Sequence, residues 1–245
     1  MMHFMNNASR KPVIIFRFIA HEGAGYLGDF LSAKNIAWQL HEIDQNKPLP
    51  ESILAYSGVV LMGGSMSVND DLPWIAPMLD LIREAFDNNI ALLGHCLGGQ
   101  LMSKALGGVV VKNNNKEIGW GNVTISSNEI ATKWFGEIET FTSFHWHGET
   151  FSLPLGAKHL LASANCQNQA WAIDQHLALQ CHIEMTVEMV KKWCEEGNSE
   201  LHEFANSPAV QQAGEMQQNL ILRCNALNKI ADQVYSCWIK GLKTY

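Results

Sequence analysis

Short, fully apolar runs alternate with amphipathic segments over the first hundred residues of the chain. Residues 12–19 (PVIIFRFI) are β-branched and aromatic and predict a first strand. A short helix over 28–34 and a weaker strand over 36–43 follow. Residues 59–62 (VVLM) form a continuous apolar run that stops at Gly63-Gly64, the pattern of a parallel strand buried on both faces. Over 74–88, Ile75, Met78, Leu79, Ile82 and Phe86 recur at helical spacing. The run Ile90-Ala91-Leu92-Leu93 then turns at Gly94 into a helix-like stretch over 100–106.

Beyond that point the pattern alternates with period two. Strands are predicted within 108–126 and over 140–145, 159–164, 169–173 and 176–182, with one helical turn at 132–135. From Thr186 the periodicity is helical. One helix is predicted over 187–196 and one long helix over 214–240, its Leu220, Leu227, Ile230, Val234 and Trp238 on one stripe. Strand–helix alternation in the first half implies an α/β fold, a doubly wound and mainly parallel sheet with helices on both faces. In such a sheet, reactive groups collect at the strand C-termini.

Composition narrows the function. The net charge of −7 and the lack of any Lys/Arg run exclude a nucleic-acid surface. No apolar run reaches the roughly 18–20 residues of a membrane span, and residues 1–10 are too polar for a secretory signal, so a cytoplasmic protein is expected. Six scattered cysteines without a C-x-x-C pair indicate neither a disulfide framework nor a zinc site. His145 and His147 would point to one face of a strand, but no third metal ligand is obvious, and no metal or other cofactor is expected.

Gly94-His95-Cys96-Leu97-Gly98 has the layout of a nucleophile elbow, a tight strand-to-helix turn that presents one reactive side chain. The sulfur would lie at a helix N-terminus, whose partial positive charge favours an anion. The Leu97 amide, without a helical partner, could serve as an oxyanion donor. A buried structural cysteine beside a glycine pair is the alternative. A cysteine nucleophile needs a base with an orienting group. His182 and Glu184, two apart on an extended chain, point the same way and could supply both.

With these residues in place, GHCLGGQ followed later by LQCHIE resembles the triad-type (class I) glutamine amidotransferases, and is similar in layout to the glutaminase portion of GMP synthase. LMGGSMSVNDDLPW resembles that family's loop carrying a second oxyanion donor, here Gly64. FHWHGETF resembles the segment beside its substrate pocket, and KEIGW is similar to stand-alone members. The resemblance implies a flavodoxin-like core over residues 1–190, with a helical extension over 191–245 packed on it. It further implies Cys96 as nucleophile, His182 as base and Glu184 as its orienter. Gly64 and Leu97 would hold the oxyanion, and Gln100, with His147 and Glu149, would bind substrate.

Several positions depart from the pattern: Ile183 for proline, Cys181 for phenylalanine, His95 for an aliphatic residue and Glu149 for aspartate. None removes a triad member. Residues 186–245 are too short for the ATP-using portion of GMP synthase, so a separate synthetase subunit is an expected partner if ammonia is passed on. Three functions remain open on sequence. They are glutamine hydrolysis feeding a synthetase, hydrolysis of γ-glutamyl peptides or amines by the chain alone, and a non-enzymatic redox or regulatory role.

Overall fold

The computed structural model describes residues 11–243; the polar stretch 1–10 lies outside them. Nine strands form one sheet: β1 (Val13–Arg17), β2 (Trp38–Glu42), β3 (Gly58–Leu61), β4 (Ala91–His95), β5 (Val110–Ile125), β6 (Thr140–Phe151), β7 (Lys158–Ser163), β8 (Ala170–Ile173) and β9 (His176–Leu179). Their spatial order is β2-β1-β3-β4-β9-β8-β7-β5-β6. The five strands from β2 to β9 pair in parallel, and the wing from β9 through β6 pairs antiparallel. The expected α/β architecture with a parallel core is present, extended by that wing.

The apolar runs form this core because both faces of the sheet are covered. Alternate residues of each strand enter different clusters. Val13, Ile15, Val60 and Leu93 lie on one face with Leu27, Leu31, Leu227 and Val234. Ile14, Phe16, Val59, Leu61 and Leu92 lie on the other with Met78, Ile82 and Leu101. Accordingly α1 (Gly25–Ala33) covers the first face, joined by the C-terminal α8 (Leu220–Trp238). The second is covered by α2 (Ile75–Asp87) and α3 (Leu97–Ala105). Each fully buried Leu or Ile contributes about 1.5–3 kcal/mol, so both layers matter to stability.

The remaining helices are α4 (Glu129–Phe135), α5 (Val187–Glu196), α6 (Asn198–Glu203) and α7 (Ala213–Met216). Asn128 caps α4 by accepting the Ala131 amide at 2.9 Å, which starts that helix earlier than the single turn expected. The long helix expected over 214–240 is two helices. Asn219 adopts a left-handed conformation (φ 52°) and separates α7 from α8. Asparagine tolerates that conformation better than most residues, and the apolar stripe runs through the break without revealing it. Helix α6 falls in the stretch read as helical from Thr186, between the two helices expected there. Strand β6 runs on to Phe151 where 140–145 was expected, and its hairpin with β5 is irregular between Lys112 and Glu117. Among the described residues no helix is long and apolar enough to cross a membrane.

Candidate active site

The corner between β4 and α3 is drawn tight by glycines. A Cβ on Gly94 would lie 2.6 Å from the Gly98 and Gly99 backbone, and one on Gly98 would lie 2.0 Å from the Leu61 carbonyl oxygen. The chain therefore crosses hard against β3, and Cys96 takes up the turn with φ 48° and ψ −106°. A left-handed conformation on a residue that is neither Gly nor Asn costs on the order of 1–3 kcal/mol and persists only where the surroundings impose it. Here the imposition includes the Cys96 amide donating to the Leu179 carbonyl at 2.8 Å, which stitches the corner to the end of β9.

That bond brings the next residues of the β9 segment to the sulfur. The side-chain Nε2 of Gln180 donates to Cys96 Sγ at 3.5 Å, and Gln180 Oε1 accepts from Gln100 Nε2 at 3.1 Å. The thiol also faces the Trp146 carbonyl at 3.8 Å. Two residues on, His182 is locked to β6 by its amide donating to the Phe144 carbonyl at 2.8 Å. Its Nδ1 stands 2.6 Å from Glu184 Oε1, both side chains buried, while its Nε2 has no hydrogen-bond partner among the described residues. Trp193 packs edge-on against the imidazole at 4.8 Å.

The electrostatics follow from this burial. Desolvation disfavours imidazolium, but the Glu184 carboxylate, followed by Cys96, reverses it and holds the His182 pKa well above its ordinary value. Desolvation likewise works against the Glu184 anion, yet His95 and His182 bring its carboxyl down to about 2. A fixed thiol, an imidazole raised by a carboxylate and the Leu97 amide at the start of α3 can together carry acyl transfer.

Gly64 and Leu97 meet across the mouth of the corner: a Cβ on Gly64 would lie 2.8 Å from Leu97 Cδ2. Gly64, Cys96, Gln100, His147 and Glu149 line one cavity of about 1010 Å³, with His182 and Glu184 buried beside it. Glu149 accepts from Ser67 Oγ at 3.0 Å and so ties β6 to the loop after β3. His147 lies 3.1 Å from Glu117 Oε2 and, through Nδ1, 3.0 Å from the Glu149 carbonyl. All eight residues singled out in the sequence thus converge here.

The fold adds residues that sequence reasoning did not place. Glu117 supplies the third potential ligand that seemed missing, within 4.8 Å of His145 and His147 donor atoms. However, the Gln169 amide nitrogen donates to Glu117 Oε2 at 2.7 Å and lies 3.4 Å from His147 Nε2, the space a cation would need. This reads as a hydrogen-bonded network, not a metal centre. Burial pushes the Glu117 carboxyl up, but His147 and His145 bring it below the usual range. Glu22, in the loop after β1, is also in the wall. A Cβ on Gly63 would lie 2.0 Å from its Oε2 and 3.1 Å from His182 Cε1. Burial lifts its carboxyl to about 7. Nothing local in the sequence marks Glu22, whereas Glu117 sits within the KEIGW segment.

Site and fold define a class: an α/β sheet with a cysteine at a strand–helix elbow beside a buried histidine–carboxylate pair. The class I glutamine amidotransferase family model matches residues 31–193, and the chain belongs to that family. A crystal structure titled a glutamine amidotransferase from Methylobacillus flagellatus is 44% identical and covers 97% of both chains, with a TM-score of 0.94. A glutamine amidotransferase-like protein of Salmonella typhimurium, YfeJ, is 26% identical over 82% of this chain and 88% of its own. γ-Glutamyl peptidase 4 of Arabidopsis thaliana is 31% identical over 58% of this chain. The match spans 59% of that relative's own length.

Proposed function

We propose that the chain hydrolyses the γ-amide bond of a γ-glutamyl compound, glutamine being the smallest, through a cysteinyl thioester. The observation that carries this reading is Cys96, held in a left-handed elbow beside the His182–Glu184 pair. Cys96 Sγ attacks the γ-carbonyl carbon as His182 takes the thiol proton. The backbone amides of Gly64 and Leu97 hold the oxyanion. The C–N bond breaks as His182 returns the proton to the leaving nitrogen, freeing ammonia or an amine. Water, deprotonated by His182, then attacks the thioester and releases glutamate. Glu184 keeps the imidazole oriented throughout. Gln100, His147 and Glu149 contact the glutamyl portion, and residues 1–190 act as the catalytic part with 191–245 packed against it.

One observation favours a substrate larger than glutamine. A cavity of about 1010 Å³ sits at the upper end of the roughly 300–1,000 Å³ that holds drug-sized ligands. Part of its wall comes from α6: Glu200 accepts from the Trp146 indole at 2.6 Å and pairs with Lys116. This supports γ-glutamyl peptides or amine conjugates, whose leaving group would extend towards α6. Glutamine hydrolysis coupled to a separate synthetase is the other reading.

Glutamate release by the purified chain, measured with glutamine and with a panel of γ-glutamyl peptides and amines, tests the proposal. Turnover that vanishes in Cys96→Ala is expected, with the conjugates exceeding glutamine. Glutamine-only turnover that rises on adding cell extract would favour the coupled reading. Full activity in Cys96→Ala or His182→Ala would overturn the triad.

A further inference from the structure

The second oxygen of the Glu184 carboxylate, Oε2, is buried without a hydrogen-bond partner, although Oε1 is taken by His182. His95 Nε2 stands 3.7 Å from Oε2. The same nitrogen lies 3.2 Å from the hydroxyl of Tyr235, on α8, and both rings are completely buried. His95 Nδ1 has no partner. The tautomer with its proton on Nε2 is the one that serves the Glu184 carboxylate. It turns an N–H towards the carboxylate and the phenol oxygen, and leaves a bare lone pair at Nδ1 instead of an orphaned donor. The Glu184 backbone is pinned from the same side, for its carbonyl accepts the Tyr26 amide at 2.8 Å, and Tyr26 in turn donates to Asp232 of α8 at 2.8 Å.

We infer that His95 and Tyr235 are positioning residues for Glu184, so that the C-terminal helix holds the triad carboxylate in place although it is remote from Cys96 in sequence. The inference rests on the triad reading above. Tyr235 fixes the His95 ring through its hydroxyl, His95 presents its N–H to Oε2, and Glu184 is kept from rotating away from His182. Burial lowers the His95 pKa against the pull of the Glu184 charge, and raises that of Tyr235 well above the phenol range.

The test uses the full chain as Tyr235→Phe, His95→Leu, His95→Gln and Glu184→Gln, with melting temperatures checking the fold. The first readout is the rate at which iodoacetamide alkylates Cys96 across pH, followed by peptide mass spectrometry; it needs no substrate. The second is kcat and KM on whichever γ-glutamyl compound is turned over. Besides Glu184, His95 and Tyr235, the titratable groups acting on His182, Glu184 and Tyr235 are Cys96 itself, Glu22 after β1, Tyr26 on α1, His145 on β6, Cys181 after β9 and Asp232 on α8; all stay unchanged in every variant.

Tyr235→Phe and His95→Leu should move the alkylation profile in the same direction as Glu184→Gln, by less, and lower kcat about tenfold with KM nearly constant. His95→Gln, which restores a donor, should recover most of both. If Tyr235→Phe and His95→Leu superimpose on the parent while Glu184→Gln departs, the positioning role is wrong and the triad stands. An unmoved profile in Glu184→Gln would instead remove the triad and the inference with it. Absence of turnover on every γ-glutamyl compound would count against the proposed function, with the alkylation profiles still deciding the positioning role.

Discussion

Gly98 passes so close to Leu61 that a Cβ on it would stand 2.0 Å from the Leu61 carbonyl oxygen. This contact presses the start of α3 onto the end of β3 and sets the angle at which Cys96 leaves the sheet. Backbone cannot swing aside as a flexible side chain would, so Gly98→Ala must separate the two elements. A loss of about 2–4 kcal/mol is expected, seen as a lower urea midpoint, with activity lost even where the protein stays folded.

Glu184→Gln keeps the shape of the pair but removes the charge that raises the His182 pKa. On the proposed mechanism kcat should fall on the order of 10²- to 10⁴-fold while KM changes little. The limb of the pH–rate profile set by His182 should move to lower pH. Steady-state kinetics from pH 5 to 9 would show both, and an unchanged profile would remove Glu184 from the mechanism.

Glu22 makes a prediction about stability. Its folded carboxyl titrates near 7, against 4.5 ordinarily, so between those values the native chain holds a proton that the unfolded chain has lost. Stability therefore declines as pH rises through this window. Glu22→Gln should escape the decline and gain about 1 kcal/mol on the parent between pH 5 and 8, allowing for the cavity's solvent. Paired urea titrations at the two pH values would measure it.

The opposite slope is expected from His145 and His176, each buried and depressed to about 4. As pH falls below 6.5 the unfolded chain takes up protons that these native imidazoles refuse until about 4. Stability should drop over that range by about 1–2 kcal/mol per group. His176 packs against the Phe86 ring and accepts the Leu92 amide at 3.3 Å. His176→Phe would cost stability at pH 7 yet show a shallower acid decline in thermal melts.

Glu200 offers a handle on specificity. It accepts from the Trp146 indole and pairs with Lys116, and all three line the cavity. Glu200→Ala should raise KM for γ-glutamyl conjugates about five- to twentyfold and leave the kinetics of glutamine nearly unchanged. Equal effects on both substrates would place the leaving group elsewhere.

The parts of this site legible in the sequence are those whose geometry is local. An apolar run, flanking glycines and a following helix suffice to define the Cys96 corner, because the steric demand falls within a few residues. His182 and Glu184 are two apart on extended chain, so their approach needs only the strand's period. Helix breaks governed by single dihedrals were not legible. Asn219 interrupts an apolar stripe that continues on both sides of it.

The sequence by itself determined a doubly covered α/β sheet, a nucleophile elbow and a histidine–carboxylate pair, since each follows from periodicity or short-range sterics. Only the tertiary structure decided what surrounds them. It set Gln180 and the Trp146 carbonyl on the sulfur, Glu22 beside His182, Gln169 against the Glu117–His147 pair, and Tyr235 behind Glu184 by way of His95. Most of these contacts join residues far apart in the chain: β4 and β9 are neighbours in the sheet, while β6, at its far edge, reaches the segment after β9 through the Phe144–His182 bridge. Pattern along a chain carries no information about such neighbours until the sheet order is known.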